Sequence, residues 1–194
     1  MTMPEQEIIL SAFREAQMSR EEELAFLDLW KPISFAKHEI MTQAGEVERR
    51  FYVVITGVQS VYFIDRNGNK LVIAFSFDGS YSGVYDSFTD GAQSGYFLEA
   101  LTDSQLYYID LPSYENLFDA YTGFNRWGRL THGELLRGRV QREIELSTLS
   151  SKERFVKFMK RCPKQLHQIP QKYLASYLNM SPETYSRLMN STTY

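Results

Sequence analysis

The sequence predicts an α+β protein in three parts: short helices followed by a β jelly roll (1–120), one long dimerisation helix (121–149), and a small all-α domain ending in a helix-turn-helix (150–194). Three observations carry this division. Between Pro32 and Pro112, short β-type runs alternate with glycine-bearing turns. From Tyr121 to about Leu149, apolar residues recur at helical spacing with no proline among them. Ile169 to Asn190 then reads as two short amphipathic helices around a sharp stop.

At the start of the chain, Ile8, Ile9, Ala12 and Phe13 form one helical apolar set and Leu24, Leu27 and Trp30 another. Ser19 stands ahead of Glu21, Glu22 and Glu23, a helix start complementing the positive end of the helix dipole, so Glu7 to Trp30 is expected to be two helices broken near Met18. Pro32 ends them. Strands are expected at Ile33–Phe35, Glu39–Thr42, Phe51–Thr56, Gln59–Ile64, Leu71–Phe77, Tyr96–Ala100 and Leu106–Leu111, punctuated by Gly45, Gly57, Gly68, Gly79 and Gly91. In the turn from Asp65 to Asn69, Asn67 and Gly68 are expected to supply positive φ angles. Short strands without intervening helices call for a sandwich or jelly roll rather than a parallel sheet. In the long helix, Trp127, Leu130, Leu136, Val140 and Ile144 recur three, four or six apart. A helix of roughly 25 residues, rising about 1.5 Å each, outgrows a small sandwich. Its seam of Leu130, Leu136, Val140 and Ile144 calls for cover, and a second copy of the same helix in a two-fold dimer supplies it. Gly133 lies near that seam, where it would permit close approach. Packing of the helix on its own β-domain is the alternative.

Ser150 and Ser151 mark a break, after which Lys152 to Cys162 is a basic helix. In Gln171 to Leu178, the residues Leu174, Ala175 and Leu178 share one helical face, and Asn179 suits the left-handed backbone of a helix stop. Ser181 then caps a helix whose first position is Pro182. Packing Tyr185, Leu188 and Met189 inward leaves Glu183, Thr184, Ser186 and Arg187 facing out, where they could enter a major groove. Spacing alone fits equally well a helical hairpin that merely packs. Charge separates the two: from Thr148 to Tyr194 there are eight basic and two acidic residues, net +6, within a chain of net −3, so the rest carries −9. A basic end on an acidic body is the footprint of phosphate contact at one end only. Double-stranded DNA is the expected partner, contacted by Ser181, Glu183, Thr184, Ser186, Arg187 and Lys172, the last on the phosphate backbone.

Other classes are excluded by composition. No apolar run approaches the roughly 20 residues of a membrane span, and no basic segment precedes a hydrophobic one at the N-terminus, so a cytoplasmic protein without membrane partners is expected. Cys162 is the single cysteine, which rules out an intrachain disulfide. His38, His132 and His167 are scattered and form no ligand spacing, so neither a metal site nor a metal-dependent jelly-roll enzyme is expected.

The order of these parts resembles the Crp/Fnr family of bacterial transcription regulators, over nearly the whole chain. FDGSYSGVYDSFTDGAQSGYFLEALTDSQLYYID, Phe77 to Asp110, is similar to the family's cyclic-nucleotide phosphate cassette and the strand after it, and MSPETYSRLM, Met180 to Met189, to its recognition helix. The resemblance implies a homodimeric regulator that binds two-fold symmetric DNA, with RNA polymerase as a further partner. It implies a ligand pocket at Gly83, Val84, Tyr85, Ser94, Gly95 and Tyr96. The departures are specific. Val84 replaces the glutamate that would bind a ribose hydroxyl, Ser94 the arginine that would hold the phosphate, and Pro182 a basic residue of the recognition helix. Between Phe77 and Leu101 there is no Lys or Arg but there are Asp78, Asp86, Asp90 and Glu99, so no cofactor is expected and cyclic AMP is not the ligand. Tyr81, Tyr85, Phe88, Tyr96 and Phe97 are expected to fill the pocket, the alternative being a pocket suited to a less charged, flatter ligand. If the helix-turn-helix has decayed, the alternative is a dimeric cyclic-nucleotide-binding-like module acting through ligand or protein binding.

Overall fold

The computed structural model describes residues 1–161 and 166–191. Two helices, α1 (Met3–Ala12) and α2 (Arg20–Leu27), lead into eight strands: β1 (Lys31–Phe35), β2 (Ile40–Thr42), β3 (Arg50–Thr56), β4 (Gln59–Ile64), β5 (Lys70–Ser76), β6 (Tyr81–Ser82), β7 (Phe97–Ala100) and β8 (Ser104–Asp110). A short helix α3 (Tyr85–Asp90) lies between β6 and β7. Then follow α4 (Leu111–Ala120), α5 (Thr122–Thr148), α6 (Ser151–Arg161), α7 (Gln171–Tyr177) and α8 (Pro182–Ser191). The strands form two four-stranded antiparallel sheets, in the orders β1-β8-β3-β6 and β2-β7-β4-β5.

The expected strands are present with ends moved by at most two residues, and the expected break near Met18 falls at a turn over Arg14–Ala16 that ends on Gln17 at φ 52°. The Ser19 start of α2 is a full capping box: Ser19 Oγ accepts from Glu22 N at 3.3 Å, and Ser19 N donates to Glu22 at 2.6 Å. The β4–β5 turn differs from expectation, because only Gly68 takes a positive φ, of 81°. Asp65 closes the turn instead, its carboxylate accepting from Asn67 N and Asn69 N, each at 2.8 Å. The two-residue strand β6 and the six-residue α3 were not anticipated.

One core lies between the first sheet and the helices around it. Phe13 has ring neighbours in Phe26, Trp30, Tyr81, Phe124 and Trp127, at centroid separations of 5.0, 5.5, 5.4, 5.8 and 4.7 Å. The N-terminal helices and the first turns of α5 are thus one aromatic packing unit. Gly123 makes their approach close: a Cβ there would lie 1.7 Å from the carbonyl oxygen of Ala16. A second core, with Tyr52, Val54, Leu98, Ala100 and Leu106, lies between the sheets. A third joins α6, α7 and α8 to Tyr62 and Val72 on the outer part of the second sheet.

After Trp127 and Gly128, α5 has no buried residue. Leu130, Leu136, Val140 and Ile144 are 40, 66, 47 and 49% exposed. Trp127, read as part of the same recurrence, faces the other way and is buried among the rings around Phe13. No helix is long and apolar enough to cross a membrane, among the described residues.

Candidate nucleic-acid interface and sensor cavity

The C-terminal helices take the local form their sequence dictates. Asn179 sits at φ 51°, stopping α7, and Met180 N donates to the carbonyl of Ala175. Ser181 Oγ accepts from Thr184 N at 3.2 Å and so caps α8. Tyr185 and Leu188 are buried with Leu174 and Leu178, and the Tyr185 ring meets that of Phe155 edge-on at 5.5 Å. Glu183, Ser186 and Arg187 are exposed on the outer side of α8, with Thr184 half-buried. The hydrogen bond to Ser181 holds the Glu183 carboxyl below its usual range. Lys172 and Ser181 are exposed too, but they border a depression shared with Asp65, Gly68 and Asn69 of the β4–β5 turn. Lys164 lies outside the described residues, as does Cys162.

These helices are fastened to the second sheet. Ser176 Oγ accepts from Val72 N at 3.0 Å and donates to the Lys70 carbonyl at 2.7 Å, taking both backbone groups of the edge strand β5. Beside this clasp, the buried Glu99 carboxylate accepts from Lys70 Nζ at 2.7 Å and from Tyr173 Oη at 2.9 Å, with His38 Nδ1 at 3.2 Å. Burial works against the charge of Glu99, yet these partners hold its carboxyl below the usual range. The same pattern ties α6 to α5. Glu145 receives Lys157 Nζ at 2.7 Å and Arg161 Nη2 at 2.5 Å, and despite partial desolvation its pKa falls to about 2. Arg154 adds three carbonyl contacts, to Leu149, Leu178 and Asn179. Arg154 is one of the eight basic residues of the C-terminal segment, yet its guanidinium is spent on helix ends.

A cavity of about 590 Å³ lies between the cassette segment, β5 and α5. Gly83, Val84, Tyr85 and Tyr96 line it. Ser94 and Gly95 do not. Ser94 is buried inside its own loop, its Oγ accepting from Tyr96 N and donating to the Tyr96 carbonyl, while its backbone is bonded to Glu46 and Gly45. The cassette therefore presents no side chain at position 94 to a ligand. The expected filling by aromatic rings is also corrected: Phe88 is buried in the core and Phe97 stacks on Tyr62, so neither enters, and Tyr81, Tyr85 and Tyr96 form walls around open space. Gly83, at φ 132°, brings the backbone of this wall close to Arg50, whose carbonyl oxygen would lie 3.3 Å from a Cβ.

Sequence reasoning missed the opposite wall. It consists of Trp127, Thr131, His132, Leu135 and Arg139, on the side of α5 away from the exposed seam. Their spacing of about four residues was visible beside the seam, but a Thr, a His and an Arg in that row read as a solvated face. His132 Nε2 lies 2.6 Å from Tyr85 Oη, which is 3.1 Å from Tyr114 Oη. Arg139 Nη1 donates to the Ile73 carbonyl at 3.2 Å. No group of His, Cys, Asp or Glu able to hold a metal ion occurs among the described residues.

A two-sheet β-domain closed by a helix, with a glycine-marked cassette on its cavity, is the form of a cyclic nucleotide-binding domain. Residues 32–121 match that family's model. Solved structures extend the likeness past the domain. FixK2 from Bradyrhizobium japonicum is 21% identical over 83% of each chain, with a TM-score of 0.72. A putative transcriptional regulator of the Crp/Fnr family from Eubacterium rectale is 14% identical over 90% of this chain and 83% of its own, with a TM-score of 0.69. Catabolite activator protein from Thermus thermophilus is 20% identical over the same shares, with a TM-score of 0.57. At such identities the likeness is one of fold, and no curated protein sequence matches the chain.

Proposed function

We propose that the chain is a DNA-binding transcriptional regulator of the Crp/Fnr type: a jelly-roll sensor, a dimerisation helix and a helix-turn-helix. The observation that carries this is the α7–turn–α8 unit, with its left-handed Asn179 and capped α8, holding Glu183, Ser186 and Arg187 clear of the protein in a segment of net charge +6. Arg187 suits a bidentate contact with guanine and Glu183 an acceptor contact with cytosine, while Ser181, Thr184 and Lys172 reach phosphates. The resemblance to Crp/Fnr regulators and the exposed α5 seam support a homodimer through Leu130, Leu136, Val140 and Ile144, with paired recognition helices on a two-fold symmetric site. RNA polymerase is the partner this kind of regulator implies, and the cytoplasm is its place.

The sensor cavity is not built for a cyclic nucleotide. A buried phosphate needs cationic or several hydrogen-bonding partners, and the cassette offers Val84, a turned-away Ser94 and the acid Asp86. Selection of bound duplexes from a random-sequence library by the full chain tests the regulator reading. A two-fold symmetric consensus is the expected result. Recovery of no sequence preference with a dimeric, folded protein would favour instead a module that acts through ligand or protein binding.

A further inference from the structure

We infer that the cavity takes a planar aromatic monocarboxylate carrying a hydrogen-bonding group at its far end, the carboxylate on Arg139 and the other end between Ser82 and the Tyr85–His132 pair. This rests on reading the domain as a sensor and names what it senses. The charge on the cavity wall is sorted by position. Arg139 is the sole Lys or Arg on the lining among the described residues, and the sole acid, Asp86, belongs to the cassette end. His132, bonded to Tyr85 of the cassette, marks that end on α5, and Arg139 follows seven residues later, about 10 Å along the helix at ~1.5 Å per residue. An anion is therefore favoured at one end and disfavoured at the other. A cyclic nucleotide seated with its phosphate on the cassette would have this pattern reversed.

The cassette end has its own unmet need. Ser82 is buried, on the lining, and its Oγ has no hydrogen-bond partner, a state that native interiors rarely tolerate without a ligand or a water. Tyr85 follows three residues later, and its Oη, already bonded to His132 Nε2 and to Tyr114 Oη, keeps one acceptor position for a hydroxyl. Between the ends, the lining includes the aromatic residues Phe75 and Tyr96 and the aliphatic Ile73 and Leu135. A flat conjugated body fits such walls, and the cavity volume lies within the usual range for small-molecule sites. Arg139 is anchored by its bond to Ile73 but keeps most of its five donors, enough for a bidentate carboxylate.

The probe is 4-hydroxycinnamate, titrated calorimetrically into the full chain without DNA, beside its uncharged amide, cinnamate lacking the hydroxyl, and cyclic AMP. Saturable binding with a Kd below about 1 mM is expected, at least tenfold weaker for the amide and several-fold weaker for cinnamate. Arg139→Met, at an exposed helical position, should remove the preference for acid over amide, and Ser82→Ala the preference for the hydroxylated acid. Equal affinity for acid and amide, an unaltered preference in Arg139→Met, tighter binding of cyclic AMP, or no saturable heat up to about 5 mM would each overturn the assignment. Duplex binding by the same unliganded preparation reports separately on the regulator reading, so a failed titration with intact DNA binding rejects the ligand class alone.

Discussion

Arg187 and Glu145 show how differently two charged residues of one chain are used. Arg187 is exposed on α8, free to meet a base edge, so its replacement by Ala should weaken binding to a selected site by about 1 to 3 kcal/mol and relax the base preference at one position. Lys172→Ala should weaken selected and random duplexes alike and flatten the salt dependence; competition titrations at two salt concentrations distinguish the two patterns. Equal losses on both kinds of DNA for Arg187→Ala would remove it from the reading role. Glu145, in contrast, is committed to Lys157 and Arg161. Its pKa falls from 4.5 to about 2 in the folded protein, so the unfolded chain takes up the proton first. The stability it contributes is whole above pH 4.5 and drains as the pH falls toward 2. With half-exposed cations the amount is roughly 1 kcal/mol, and Glu145→Gln should flatten the thermal midpoint across that window and leave it unaltered in slope above pH 5. Position also decided what could be read from sequence at this scale. Ser181, Asn179 and Pro182 act through the backbone within four residues, so their roles were legible. Arg139 and Arg154 act across the fold, so residue type missed their use, while Ser94, placed on the pocket by the family resemblance, turns its hydroxyl into its own loop.

At the scale of elements, α5 divides its surface between two tasks. One side lines the cavity with Thr131, His132 and Arg139; the other leaves Leu130, Leu136, Val140 and Ile144 uncovered. Leu136→Asp with Val140→Asp should convert a dimer to monomers in light scattering, and a wild-type chain that is already monomeric at micromolar concentration would end the dimer proposal. The seam was legible because an apolar period longer than its domain has few explanations. Strand β6 was not, since two residues carry no period, and α3 was hidden between Gly79 and Gly91, which read as turns. Helix α7 links the C-terminal helices to the second sheet. If Ser176 holds the backbone of β5, Ser176→Ala should raise the hydrogen-exchange rate of the Val72 amide well above that of its neighbours in β4, without loss of the sheet. Unchanged exchange at Val72 would mean that the clasp does not hold in solution.

For the whole molecule, the cassette gives a simple expectation: neither cyclic AMP nor cyclic GMP should bind tightly, and a calorimetric Kd below about 10 micromolar for either would contradict it. The switch from short strands to helices was readable from texture, because the two carry different periods. The docking of one part on another was not, since Lys70, Glu99 and Tyr173 are far apart in sequence and individually unremarked. That docking has a consequence beyond orientation. Strand β5 is an outer strand of its sheet, and an outer strand offers unpaired amides and carbonyls on which another chain can polymerise. Ser176 takes two of those groups, and Phe63 and Leu71, both partly exposed on the same hairpin, lie next to them. A regulator that swung its C-terminal helices away to reach DNA would uncover a sticky ribbon each time it did so, and its solubility would then depend on how briefly, or on what surface, it opens.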